Sequence, residues 1–129
     1  MGKLLDDAKE KLAHLGWKAR FDFKNGIFSC VKEDAPDNVP SCVEGSFALG
    51  SRDSEILSCM RDAYRKQYDE TDVWKIAAET LSGSYFTKED LLGVVMEAED
   101  ARGDLQYLAD VFDGLSESRV RKNAASKRR

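Results

Sequence analysis

A single histidine, three cysteines and two prolines in 129 residues leave little room for several kinds of chemistry. With only His14 available, paired-histidine metal helices and their hydrolytic chemistry are excluded. Cys30, Cys42 and Cys59 are odd in number and none has CxxC spacing, so neither a disulfide framework nor a zinc site is indicated. They read as reduced, partly buried small hydrophobes, which fits a cytoplasmic location. There is no run of 18 apolar residues, hence no expected membrane span. The opening MGKLLDDAKEKL has no apolar core and begins an amphipathic helix, so no secretion signal is expected. A glycine-rich phosphate loop, a GxSxG elbow and a calcium-loop pattern are all missing. Adjacent acidic pairs such as Asp6-Asp7, Glu89-Asp90 and Glu99-Asp100 point about 100° apart on a helix and chelate one ion poorly. No catalytic residue, metal ligand or cofactor is assigned. An enzyme would require a site that the sequence does not display.

What is present is periodicity. The run from Phe86 to Leu115 reads FTKEDLLGVVMEAEDARGDLQYLADVFDGL. Leu91, Val94, Ala98, Ala101, Leu105, Leu108, Phe112 and Leu115 recur at alternating steps of three and four, a heptad seam. Thr87 is the expected N-cap, with Asp90 in the capping-box position and Phe86 and Leu91 at the staple positions. Gly114 is the expected end. A helix over about 88–114 spans roughly 40 Å, against a diameter of roughly 36 Å for a compact chain of this length. The seam is therefore expected to be buried by its own chain or to meet a partner, including a second copy through the 91–115 face.

The rest of the chain supports an α+β fold. Residues 3–15 form an amphipathic helix stopped by Gly16. Apolar and charged residues then alternate from Trp17, and Asn25-Gly26 signals a two-residue hairpin turn that pairs Phe23 with Phe28 and Phe21 with Cys30. Phe21, Phe23 and Phe28 are expected to face the core. Residues 33–41 carry both prolines and read as loop. A third strand follows, giving a three-stranded antiparallel meander over about 17–23, 27–32 and 43–49. Two helices are expected next, at 52–68 with Ser51 as cap and at about 72–81. Residues 1–116 form one domain, and 117–129 a basic disordered tail.

The order helix, three strands, helix is also that of double-stranded RNA-binding domains. Those domains place a basic cluster at the start of the second helix. Here that stretch reads SRDSEILSCMRDAY, with Asp53 and Glu55, so the likeness is one of topology and no family is assigned.

Charge carries the functional expectation. Residues 1–118 hold 14 basic against 24 acidic residues, while RVRKNAASKRR at the end holds six basic and no acidic ones. An acidic body with a basic tail suggests a non-enzymatic interaction or regulatory protein, an inhibitor docking on a basic nucleic-acid-binding protein. The acidic residues expected to meet that partner are Asp62, Asp69, Glu70, Asp72, Glu97, Asp100 and Asp104. The alternative is a nucleic-acid-binding regulator that holds phosphates with Arg119, Arg121, Lys122, Lys127, Arg128 and Arg129.

Overall fold

The computed structural model describes residues 3–36 and 38–127, with side chains described as far as Ser116. The elements run α1 (Lys3–His14), β1 (Trp17–Asp22), β2 (Ile27–Lys32), β3 (Cys42–Ser46), α2 (Asp53–Glu70), α3 (Val73–Leu81) and α4 (Lys88–Lys127). The three strands form one antiparallel sheet in the order β1-β2-β3. α1 and α2 cover one face of it, with α4 packed across both helices, and Lys18, Arg20, Ile27 and Val31 are exposed on the other.

Local chemistry sets most of the boundaries. α1 stops at Gly16, whose φ of 83° is left-handed. α4 begins with the expected capping box: the Asp90 N–H donates to Thr87 Oγ1 at 3.1 Å, and the Thr87 N–H donates to Asp90 Oδ2 at 2.9 Å. α3 is capped by Asp72, whose carboxylate accepts from the Trp74 and Lys75 N–H groups at 3.1 Å each. α2 departs from expectation. Its N-cap is Arg52, whose N–H donates to Glu55 Oε1 at 3.1 Å, while the Ser51 hydroxyl turns back to the Ala48 carbonyl.

The hairpin register also differs from the reading of Asn25-Gly26 as a two-residue turn. Phe21 pairs with Phe28 and Ala19 with Cys30, a shift of two residues. The cause is Asp22. Its carboxylate accepts from the Lys24 and Asn25 N–H groups at 3.1 Å and from the Asn25 side-chain amide at 2.8 Å. That favours a four-residue loop, 23–26, closed by the Gly26 N–H on the Asp22 carbonyl at 2.8 Å. Only Gly26 takes positive φ in this loop, at 67°. Because the strand period is two, the shift leaves Phe28 and Cys30 on the buried face. Phe23, expected in the core, instead leaves the strand and is 48% exposed, stacked on Phe21 at 6.0 Å.

The main core joins Leu5, Ala8 and Leu12 of α1, Trp17, Phe28, Cys30 and Val43 of the sheet, and Phe47 just beyond it. Ile56, Leu57, Met60 and Tyr64 of α2 and Leu105, Leu108, Ala109 and Phe112 of α4 complete it. A smaller cluster of Val39, Ile76 and Ala98 sits under the loop before β3. α4 therefore buries Ala98, Leu105, Leu108 and Phe112 of its seam within its own chain and leaves Leu91, Val94, Ala101 and Leu115 half-buried. Leu105, Leu108 and Phe112 are buried as expected, whereas Leu91 is only half-buried. Val95 and Ala109 are buried as well, so the stripe is wider than a two-position seam, as in an ordinary globular helix. Gly103 and Gly114 both lie inside the helix, so Gly114 is not its end. Of the expected tail, residues 117–127 continue α4 in their backbone, with the side chains of Arg119, Arg121, Lys122 and Lys127 outside those described, and Arg128 and Arg129 lie outside the described residues.

Gly26 cannot accept a side chain without strain. A Cβ there would meet the Phe47 carbonyl oxygen, and φ is already left-handed. Gly26→Ala is expected to lower stability by about 1–3 kcal/mol in urea denaturation. Asp22 gives a pH signature. The Asn25 side-chain amide, then the Asn25 N–H, holds its carboxyl below the usual carboxylate range. Its contribution is present above the unfolded pKa of about 3.9 and is lost as pH falls through the lower folded value. Asp22→Ala should melt below the parent protein at about pH 7, and the gap should close at about pH 2.

Candidate functional site

The titratable thiols and the hydroxyl inside the fold are shifted mainly by burial. Cys30 is buried, and burial pushes its thiol up to about 11. Burial, and next the Cys30 thiol beside it, also raise the Tyr64 hydroxyl, which has no hydrogen-bond partner among the described residues. The Trp17 indole N–H is buried without a partner among the described residues. Cys42 and Cys59 are raised too, each by burial first and then by neighbouring acids. A raised thiol pKa withholds the thiolate that nucleophilic and redox chemistry use. His14 is exposed at the end of α1. Among the described residues no group of three potential ligands converges on a metal position.

Charge, by contrast, is sharply divided between residues 1–68 and residues 69–118. Residues 1–68 hold eleven basic and eleven acidic residues. Residues 69–118 hold thirteen acidic residues against Lys75, Lys88 and Arg102. The whole negative excess of the body thus falls on the last turn of α2, on α3 with its cap and on α4 as far as residue 118.

The seven acidic residues singled out from the sequence do not form one cluster. Asp62, on α2, is engaged by Arg61 at 3.0 Å, and Arg61 also holds Asp113 of α4 at 2.8 Å. These carboxylates, Asp113 first, raise the Arg61 pKa further. Asp69, Glu70 and Asp72 gather at the turn between α2 and α3. Glu70 lies 3.9 Å from Lys66, and Asp72 is committed to capping α3. Glu97, Asp100 and Asp104 run along one edge of α4. Asp104 is partly buried and lies 3.9 Å from Lys32. Burial pushes its carboxyl up, Lys32 opposes the rise, and Asp100 adds to it. Glu97, Glu99 and Asp100 make no ion pair among the described residues.

The same stretch, residues 69–118, exposes apolar surface. Trp74, Ala78, Leu81, Phe86 and Leu91 line an open groove of about 460 Å³ between α3 and the start of α4. Trp74, Tyr85 and Phe86 are all exposed. Arg102 ties α4 to α2: its guanidinium stacks on Tyr68 at 3.8 Å and donates to the Tyr68 carbonyl at 3.1 Å. Helical periodicity alone does not mark Trp74 or Tyr85 as exposed. A signal was available in the SGS break before Tyr85, which leaves the aromatic pair Tyr85-Phe86 outside both helices. No protein-family model matches this chain, and neither a curated protein nor a solved structure matches it.

The three thiols are expected to label in order of exposure. Cys42 should react first with maleimide, half-buried Cys59 more slowly, and Cys30 only on unfolding, as read by mass spectrometry of the labelled peptides.

Proposed function

We propose that this protein works by binding a basic macromolecular partner and performs no turnover of its own. The observation that carries the reading is the division of charge within the body: residues 1–68 are neutral, and residues 69–118 hold thirteen acidic against three basic residues. A field of one sign on one part of a surface speeds and orients the approach of an oppositely charged partner. The exposed aromatic residues beside it, Trp74, Tyr85 and Phe86, supply the kind of side chain that anchors protein interfaces. A basic nucleic-acid-binding protein fits this surface, and by covering its basic groove this chain would act as an inhibitor. The partner-binding residues of this reading are Asp69, Glu70, Glu97, Asp100 and Asp104, with Asp62 and Asp72 mainly engaged in holding the fold.

A second reading rests on the six basic residues among the last eleven. Arg119, Arg121, Lys122, Lys127, Arg128 and Arg129 would then bind DNA or RNA phosphates, with the acidic body turned away.

One experiment separates the two. Binding is measured to a basic protein such as a histone, and to short DNA and RNA duplexes, across salt concentrations. It uses the full chain and a form lacking residues 119–129. Binding to the basic protein is expected to survive removal of the tail and to weaken by roughly tenfold or more as salt rises through the physiological range. Duplex binding that disappears with the tail would establish the second reading instead.

A further inference from the structure

α4 has a second apolar stripe, on the face opposite its buried one. Leu92, Met96 and Tyr107 are 49%, 63% and 51% exposed. Gly103 and Gly114 fall on the same strip, which takes up about 60° of the helical wheel. The steps from Leu92 through Met96, Gly103 and Tyr107 to Gly114 are four, seven, four and seven, so the strip stays in register over roughly 33 Å. Nothing in the fold requires these residues. A Cβ at Gly103 or Gly114 would meet no atom within 4 Å, so no neighbour in the chain demands a glycine at either site. Interior helical glycine is unfavourable, and Gly103 and Gly114 leave this strip low enough for a second backbone to approach closely.

The strip is edged with acid on both sides. Asp100 borders one edge, with Asp104 and Glu97 farther round on that side, Glu99 borders the other, and Asp110 stands in line with Leu92; there is no basic residue between 92 and 114 except Arg102, which is turned to Tyr68. Asp110 is only loosely engaged, 3.9 Å from Arg65. An apolar strip between two charged edges is the geometry by which one helix selects another.

We propose that the solvent face of α4, built on Leu92, Met96, Gly103, Tyr107 and Gly114, docks an amphipathic helix whose apolar stripe is flanked by lysine or arginine. The inference rests on the reading of this protein as a binder of basic partners, and it names the surface and the shape of the ligand. The occupant is a different protein rather than a second copy. A second α4 would set these acidic edges against its own, and like charges across such a seam oppose pairing. A basic helix neutralises both edges while covering the strip, with the glycines letting its backbone come close.

The test uses a designed helical peptide of about three heptads, with leucine at the two core positions and lysine at the flanking ones. Its like charges keep it from pairing with itself. The control has glutamate in place of lysine. Binding to the full chain is followed by fluorescence anisotropy. The lysine peptide is expected to bind and the glutamate peptide not to. The double substitution Met96→Gln and Tyr107→Gln should weaken binding at least tenfold with circular dichroism and melting temperature unchanged. Gly103→Ala should raise the melting temperature and still weaken binding, a pairing of effects that a merely structural role does not produce.

Lysine-peptide binding that ignores both variants would overturn the seam while leaving the wider reading of a basic partner standing. Equal binding of the two peptides would overturn the charge selection. A dimer in sedimentation that is lost in the double variant would identify a second copy as the occupant and overturn the proposal. Should neither peptide bind while a histone still does, the seam is wrong and the wider reading holds; should the histone fail as well, both fall.

Discussion

Tyr64 is the joint on which the molecule turns. Its ring meets Phe112 of α4 edge-on at 5.3 Å and Trp17 of β1 edge-on at 5.5 Å. Three elements that are far apart in sequence are thus held through one side chain on α2. Such aromatic pairs prefer this edge-to-face geometry and add to the stabilisation from buried area. Around that line pack Leu105 and Leu108 from α4, Leu57 and Met60 from α2, and Leu5 and Leu12 from α1. The acidic stretch is presented to solvent because the C-terminal part of α4 is anchored here. Arg61 reaching Asp113 and Arg102 stacking on Tyr68 reinforce the same α2–α4 union from outside the core.

Much of this architecture was legible in the residues, and what was not has physical reasons. The two periods, 3.6 and 2, located the helices and strands and sorted their faces. The capping box at Thr87 and Asp90 was read from two residues alone. The hairpin was misread by two positions because Asn-Gly and Asp-x-x-x-Gly signals overlap. The type I′ turn needs positive φ at both residues, whereas Asp22 offers the chain a carboxylate that makes a longer loop better. The faces survived because a two-residue slip preserves alternation. Phe23 did not, because it passed from strand to loop. At α2, serine before a helix suggested a cap, but the Glu55 carboxylate satisfied the Arg52 N–H and the helix began one residue later.

The heptad seam shows a different kind of limit. An apolar stripe records that a face is covered, not what covers it. Burial by α1 and α2 and burial by a partner ask for the same residues, so periodicity alone could not separate them. The candidate binding residues show the complementary limit. Acidity was visible in the composition, yet Asp62 and Asp72 turn out to be occupied by Arg61 and by the start of α3. A count of charges does not reveal which carboxylates already have work inside the fold. The exposed Leu92, Met96 and Tyr107 escaped notice because the stronger stripe beside them sets the phase of the helix.

The place of α4 in the chain bears on how the protein comes into being. Neighbouring strands are consecutive in sequence, and each helix cap is local, so the first half can organise as it leaves the ribosome. Its core cannot close, however, until Leu105, Leu108 and Phe112 have been made. Synthesis proceeds from the N-terminus at about 5–20 residues per second, so for several seconds Leu5, Leu57 and Tyr64 lack their final cover. The last helix is the lid of the core, and a chain released before residue 112 would expose the same apolar surface for as long as it lasted.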